Sequence, residues 1–259
     1  MGGCLFYKEK ALINKNDGHY YAFPILSDDT PIENLSFQRD ILCGTCFSLK
    51  NGIFLTAGHV AEAALQRKYC AVEIWEEGYK PYYFEKNDVE IFTDYDLAIL
   101  KTKKAPPNVC EFLWETRFQT SGPQVNAIGF AHGFDLEQKA LTLRKFTGFI
   151  VASLTYCKNI PAKCGGYELS FVSPTDLSGS PLLLNNVLIG YIKGVSESKI
   201  RTKIYETVEK ENDGIKRITE EYELVSFSIA VRTDAILSLQ SKILGTTIID
   251  YLRNNNFIK

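Results

Sequence analysis

Short apolar runs separated by turn-forming residues recur along this chain, and the pattern predicts many short strands. The runs lie at 46–49, 52–55, 97–100, 125–128, 149–152, 182–184 and 187–189. Lys50-Asn51-Gly52 joins two of the runs, and Leu184-Asn185-Asn186 joins two others. Such segments favour the tight turns of β-hairpins. Strands at this spacing indicate a β-barrel or a β-sandwich.

Helical periodicity is convincing only near the C-terminus, between Asp234 and Leu252. Apolar residues recur there at roughly helical spacing. Gly245 interrupts the pattern, so we expect two helices, with Thr246 or Thr247 capping the second. Pro and Gly residues in 101–124 suit a linker between two β units. We therefore divide the chain into 1–118 and 119–259.

The segment 196–223 carries six Lys or Arg and eight Asp or Glu residues, alternating with apolar positions around Asp213-Gly214. This pattern predicts a long, solvated β-hairpin. Two interpretations of it remain open. It is either an exposed edge arm protected by its charge or a docking arm for a regulatory protein partner or substrate.

Composition excludes some classes of function and leaves others open. The chain has 259 residues, of which 45% are hydrophobic, and this suffices for a sizeable core. The net charge of -2 predicts no nucleic-acid partner. No run approaches 18 apolar residues, so we expect no membrane association through a span.

We expect a cytoplasmic location, because the first residues lack the apolar run of an export signal. The seven cysteines then favour reduced thiols. A zinc site would need Cys43 and Cys46 to meet Cys157 and Cys164, and one CxxC pair alone is weak support for that.

Three short motifs carry residues that suit nucleophilic catalysis. His59 follows an apolar hairpin on an Ala-Gly turn, where it is well placed as a general base. Asp96 directly precedes an apolar strand and could orient the imidazole. Ser178 lies in a Ser-Gly-Ser-Pro turn ahead of another strand, where a base could activate its hydroxyl.

These motifs, in the order His, Asp, Ser, resemble those of the chymotrypsin-fold or trypsin-like serine peptidases. Bacterial members of the high-temperature-requirement type are especially similar, and the resemblance covers about 37 to 240. The matching segments are 44–47 (GTCF), 56–60 (TAGHV), 96–100 (DLAIL), 127–130 (AIGF), 176–181 (DLSGSP), 189–192 (IGYI) and 228–231 (SIAV). The resemblance implies an all-β fold of two six-stranded antiparallel barrels with a C-terminal helix.

The resemblance also implies a serine endopeptidase that hydrolyses proteins or peptides through an acyl-enzyme. Ser178 would attack the carbonyl, His59 would carry the proton, and Asp96 would orient His59. The backbone N–H groups of Ser178 and Asp176 would form the oxyanion hole. Neither a metal nor an organic cofactor is required.

The chain departs from the family pattern at two positions of the nucleophile turn. Asp176 stands where the family usually has Gly at a position that needs an unusual backbone conformation. We expect a partly collapsed oxyanion hole at rest. Leu177 replaces the acid that pairs with a new N-terminus in the trypsin branch, so that route of activation is not expected. The alternative function is a catalytically silent binding module with this fold.

Substrate preference is predicted from the residues that match the specificity pocket of the family. Val172 would form its base, and an apolar base disfavours a buried Lys or Arg side chain. Lys193, Gly194 and Val195 would form the wall. We expect cleavage after small to medium apolar residues.

Overall fold

The computed structural model describes residues 21–32, 41–75, 79–107, 109–131, 134–135, 140–155, 164–210 and 216–258. At 75, 79, 134–135, 140, 196–210 and 216–225 it describes the backbone alone. Cys157, one of the four cysteines that a zinc site would have needed, lies outside the described residues.

The first half of the chain forms a seven-stranded antiparallel sheet that curls into a half-barrel. Its strands are β1 (Phe23–Asp28), β2 (Leu42–Lys50), β3 (Ile53–Ala57), β4 (Tyr69–Trp75), β5 (Tyr79–Phe84), β6 (Val89–Phe92) and β7 (Leu97–Lys101). They lie in the order β5-β4-β1-β2-β3-β7-β6. A six-stranded barrel was predicted here, but the sheet is open and has seven strands. β1 lies between β2 and β4, and β5 and β6 form the two edges.

The second half forms a closed six-stranded barrel, as predicted. Its order is β11-β12-β15-β14-β13-β8, and a separate two-stranded ribbon pairs β9 with β10. The strands are β8 (Gln124–Gly129), β9 (Phe134–Asp135), β10 (Ala140–Leu141), β11 (Arg144–Leu154), β12 (Gly166–Leu169), β13 (Pro181–Leu184), β14 (Val187–Lys210) and β15 (Lys216–Arg232).

Both predicted tight turns join adjacent strands. Lys50 pairs with Ile53 across the first turn, and Leu184 pairs with Val187 across the second. Asn185 and Asn186 have φ values of 51° and 64°. Two successive positive φ values match the right-handed twist of the flanking strands, which explains why Asn-Asn was a reliable hairpin signal.

The described parts of the charged segment, 196–210 and 216–223, lie in an antiparallel ladder between β14 and β15. The ladder begins in the barrel at Gly190 and Arg232 and continues to Lys210 and Lys216. The hairpin is thus a direct continuation of two barrel strands.

One shared core holds the two β units together. Trp114 lies in the connection between β7 and β8 and is 1% exposed. It packs in a cluster with residues of both units and of the C-terminal helix. The N–H of Trp114 donates to the carbonyl of Phe257, and the N–H of Leu188 donates to the carbonyl of Leu113. The connection is therefore part of the core, although its prolines suggested a simple linker.

Of the two helices predicted near the C-terminus, only the second forms. It is α2 (Ile248–Asn254), and the hydroxyl of Thr247 accepts the N–H of Asp250 as its cap. The first prediction is wrong: a 3-10 turn at Thr233–Ala235 leads to β16 (Gln240–Ser241), which pairs with β17 (Thr246–Thr247).

The carboxylate of Glu90 explains why no helix forms ahead of α2. It accepts hydrogen bonds from the Ser241 hydroxyl at 2.6 Å and from the Lys242 N–H at 2.9 Å. These bonds hold the segment in an irregular conformation, while its apolar side chains still pack on the shared core. In the part of the chain that is described, no helix is long and apolar enough to cross a membrane.

Glu73 is a buried acid on β4, only 5% exposed. Its Oε2 has no hydrogen-bond partner within the described structure. Burial without compensation raises the pKa of Glu73 to about 8. In the unfolded chain the pKa of Glu is about 4.3.

We predict that Glu73 makes the protein less stable as the pH rises. Below both pKa values the side chain is neutral in both states and has no effect. Between them the unfolded chain loses the proton first, so unfolding becomes easier by about 1.4 kcal/mol per pH unit. Glu73→Gln should remove this slope, as measured by urea unfolding between about pH 5 and about pH 8. Parallel curves for the two proteins would contradict the prediction.

Candidate active site

His59 and Asp96 form a close pair at one end of the first sheet. Nδ1 of His59 lies 2.8 Å from Asp96 Oδ2 and 3.1 Å from Oδ1. The backbone N–H of His59 also donates to Asp96 Oδ1 at 2.8 Å. Because an ionised carboxylate only accepts hydrogen bonds, Nδ1 carries the proton in this arrangement. The other ring nitrogen is then free to act as a base.

Local backbone structure fixes this pair. His59 is the second residue of α1 (Gly58–Ala64), a helix that sequence analysis missed. Asp96 ends a 3-10 turn with φ 48° and ψ 46°, a left-handed conformation that Asp tolerates better than most residues. The N–H of Gly58 donates to the Asp96 carbonyl at 2.8 Å. This bond joins the end of β3 to the start of β7, next to the side chains of His59 and Asp96.

Solvent exposure differs sharply between the two members of the pair. The His59 side chain is 48% exposed, whereas that of Asp96 is 13% exposed. A shielded carboxylate beneath an open imidazole suits a general base that must reach a substrate while its orientation is held from below. Asp96, not Asp94, is therefore the acid that contacts His59, as the sequence predicted.

The turn that carries Ser178 packs directly against the strand that leads to His59. A Cβ built on Gly179 would lie 2.0 Å from the Thr45 carbonyl and 3.1 Å from the Ala57 nitrogen. Gly179 also has φ 83°, a conformation that glycine adopts without steric cost. Only glycine fits this position, and its absence of a side chain lets Ser178 approach the first sheet.

Thr45, a fully buried residue of β2, holds the nucleophile turn in place. Its N–H donates to the Ser178 carbonyl at 2.9 Å. Its hydroxyl donates to the Asp176 carbonyl at 3.2 Å and accepts the N–H of Phe130 at 3.0 Å. A single side chain of the first unit thus bonds two segments of the second.

The hydroxyl of Ser178 is hydrogen-bonded to a backbone carbonyl and not to His59. It donates to the backbone carbonyl of Lys193 at 2.9 Å. Within the described structure, the ring of His59 is hydrogen-bonded to Asp96 alone. The structure therefore brings the three predicted residues into one region and forms the His-Asp contact, but the Ser-His hydrogen bond is not made.

Asp176 adopts the unusual backbone conformation that its position was expected to require. Its φ is 72°, in the left-handed region. Non-glycine residues pay roughly 1 kcal/mol or more for this conformation. The Asp176 carboxylate also adds to burial in raising the pKa of the Cys43 thiol, so its negative charge lies near β2. The predicted collapse of the oxyanion hole remains a prediction.

The residues predicted to bind substrate lie at an open apolar surface beside Ser178. Val172 is 54% exposed and Val195 is 41% exposed. They lie on neighbouring segments, because Ser228 pairs with Val195 and donates to the carbonyl of Phe171. A Cβ built on Gly194 would meet no atom within 4 Å. A substrate side chain could therefore contact both valines.

Comparison with known proteins identifies the fold through solved structures alone. Neither family models nor curated protein sequences match the chain. Solved structures do match. The active form of the Rv3671c protease from M. tuberculosis is 17% identical with a TM-score of 0.56, and the alignment covers 88% of this chain and 82% of that one.

Two further structures agree with this match. The HtrA-type protease AlgW with a decapeptide is 14% identical with a TM-score of 0.54, over 82% of this chain and 61% of AlgW. The chain thus spans about three-fifths of AlgW. The apo MamO protease domain from Magnetospirillum magneticum is 15% identical with a TM-score of 0.52, over 85% and 96%. The fold is therefore chymotrypsin-like and similar to that of HtrA-type bacterial proteases, as the sequence motifs predicted.

Thr45 is the site residue that sequence analysis did not identify. It lies in the quoted motif of the opening strand, but a threonine within a strand is ordinary on β propensity alone. Its role depends on contacts with Asp176 and Ser178, more than 130 positions away. No local pattern could have indicated it.

We predict that Thr45→Val loosens the nucleophile turn. Valine keeps the shape but removes the hydroxyl, leaving the Phe130 N–H buried without its acceptor at a cost of about 1–3 kcal/mol. Thr45→Ser keeps the hydroxyl and should retain most of the stability. Thermal unfolding of the three proteins measures this difference. Equal losses in the valine and serine variants would contradict the prediction, because they would show that keeping the hydroxyl does not preserve stability.

Proposed function

We propose that this protein is a serine endopeptidase that hydrolyses proteins or peptides through an acyl-enzyme intermediate. The observation that carries the proposal is the His59–Asp96 pair, which lies beside the docked turn of Ser178. The shared fold with HtrA-type proteases supports it. AlgW was determined with a bound decapeptide, which supports peptides as the class of ligand.

The reaction begins when the Ser178 side chain rotates from the Lys193 carbonyl toward His59. His59 then accepts the hydroxyl proton as Ser178 attacks the scissile carbonyl, and later donates that proton to the leaving amine. Asp96 stabilises the imidazolium formed in between. Water, activated by the same histidine, releases the acyl group from Ser178.

The developing oxyanion would be bound by the backbone N–H groups of Ser178 and Asp176. The carboxylate of Asp176 works against this, because it brings a negative charge close to the oxyanion. This chemistry needs neither a metal nor an organic cofactor. We propose a cytoplasmic location, in keeping with the cysteines of the described structure, none of which forms a disulfide there: Cys43, Cys46, Cys70, Cys110 and Cys164. We also propose the 196–223 hairpin as a docking site for a regulatory protein.

A catalytically silent binding module is the second candidate function. Two observations favour it: Asp176 occupies the oxyanion turn, and Ser178 is bonded to Lys193 instead of to His59. Chymotrypsin-like folds serve more than one function, so the fold alone does not decide.

We predict that a fluorophosphonate probe labels the wild-type protein at Ser178. The label should be lost in Ser178→Ala and retained in Ser180→Ala, a matched control two residues away whose buried hydroxyl has no partner within the described structure. Asp96→Asn should lower the labelling rate by roughly 10⁴-fold, because it disturbs the tautomer of His59. Labelling that persists in Ser178→Ala, or a complete lack of labelling, would favour the silent module.

We predict cleavage after small to medium apolar residues, because Val172 and Val195 offer an apolar contact surface. A Lys or Arg side chain resting on these valines would find no oppositely charged partner on them, whereas an apolar side chain would lose water-exposed surface. Profiling on a peptide library measures the preference. Val172→Asp should shift it toward basic residues, and a strict wild-type preference for Lys or Arg would overturn the assignment.

A further inference from the structure

We propose that the backbone carbonyl of Lys193 is a built-in lock that holds the nucleophile of the resting enzyme away from its base. This inference rests on the proposed function, because it concerns the same site. A hydroxyl has one proton to donate. While Ser178 donates it to Lys193 at 2.9 Å, it cannot donate it to His59.

A β-bulge brings the Lys193 carbonyl to this position. Ile192 pairs with Ala230 and Gly194 pairs with Ile229, so Lys193 is an extra residue between two consecutive pairs of the ladder. A bulge leaves its extra residue out of regular pairing and turns its backbone groups aside. The lock is therefore produced by the register of β14 and β15 and not by a side chain.

Two neighbouring hydrogen bonds hold the nucleophile turn against the bulge. The N–H of Gly179 donates to the Ile192 carbonyl at 2.7 Å, and the N–H of Ile192 donates to the Ser180 carbonyl at 2.8 Å. These bonds can persist when Ser178 changes rotamer, because they involve only the backbone. To release the nucleophile, only the hydrogen bond between the Ser178 hydroxyl and the Lys193 carbonyl has to break.

The lock also connects the site to the charged hairpin. β14 continues from the bulge to Lys210, with two further shifts in its pairing between Ile200 and Tyr205. A Cβ built on Gly194, the residue after the bulge, would meet no atom within 4 Å. A glycine at this point lets the strand change direction at little steric cost. We therefore expect binding at 196–210 or 216–223 to shift the bulge and release Ser178.

The resting contact can be tested without any catalysis by ¹⁵N NMR of the His59 ring. If Ser178 is locked, Ser178→Ala should change the chemical shift of the His59 Nε2 no more than Ser180→Ala does. A clearly larger change in Ser178→Ala would show that the hydroxyl is already bonded to His59, and it would overturn the proposal. This measurement stands even if the protein proves not to be a peptidase.

Deletion of Lys193 tests the release. It removes the extra residue while preserving the pairs on both sides, since Ile192 and Gly194 already face consecutive partners. In the deletion variant we expect fluorophosphonate labelling to be about five-fold faster, as for loss of one competing hydrogen bond. In the deletion variant, replacing Ser178 by Ala should change the chemical shift of His59 Nε2 clearly more than replacing Ser180 by Ala does. An unchanged or slower rate in a folded variant would overturn the lock, whereas absent labelling of the wild type would count against the proposed function only.

Discussion

The contacts of Thr45 are the constraint on which the candidate site depends. His59 and Asp96 belong to the first β unit and Ser178 to the second, so chemistry between them needs a fixed junction. Thr45 supplies it with its N–H to Ser178 and its hydroxyl to Asp176. Gly179 makes the close approach possible, because any side chain there would overlap the Thr45 carbonyl. The remaining core holds the two units together more generally through Trp114.

The His59–Asp96 pair and the Ser178 turn differ in how closely each matches the arrangement that catalysis would need. The His-Asp half is complete, with a shielded carboxylate and a half-exposed imidazole. The serine half combines a left-handed Asp176 with a hydroxyl bonded to Lys193. The hydrogen bond from Ser178 to Lys193 competes with the bond to His59 that catalysis would need, because the hydroxyl has one proton to donate.

Sequence patterns were informative where a local rule determines the structure. Asn185-Asn186 predicted its hairpin because two positive φ values are needed there, and Asp96 was identified by its place before a buried strand. The patterns failed where distant contacts decide. Glu90 holds the segment ahead of α2 out of a helix despite its periodicity. The hydrogen bond from Ser178 to Lys193 depends on a one-residue shift between β14 and β15, which no composition or spacing indicates.

The central claim is that Ser178, His59 and Asp96 act as one unit, and the crystal structure of the protein after reaction with a small fluorophosphonate tests it most directly. We predict phosphorus bonded to Ser178 Oγ, with its link to Lys193 broken. Nε2 of His59 should lie within hydrogen-bonding distance of an oxygen of the adduct. An unmodified Ser178, or an adduct with the His59 ring turned away from it, would contradict the claim.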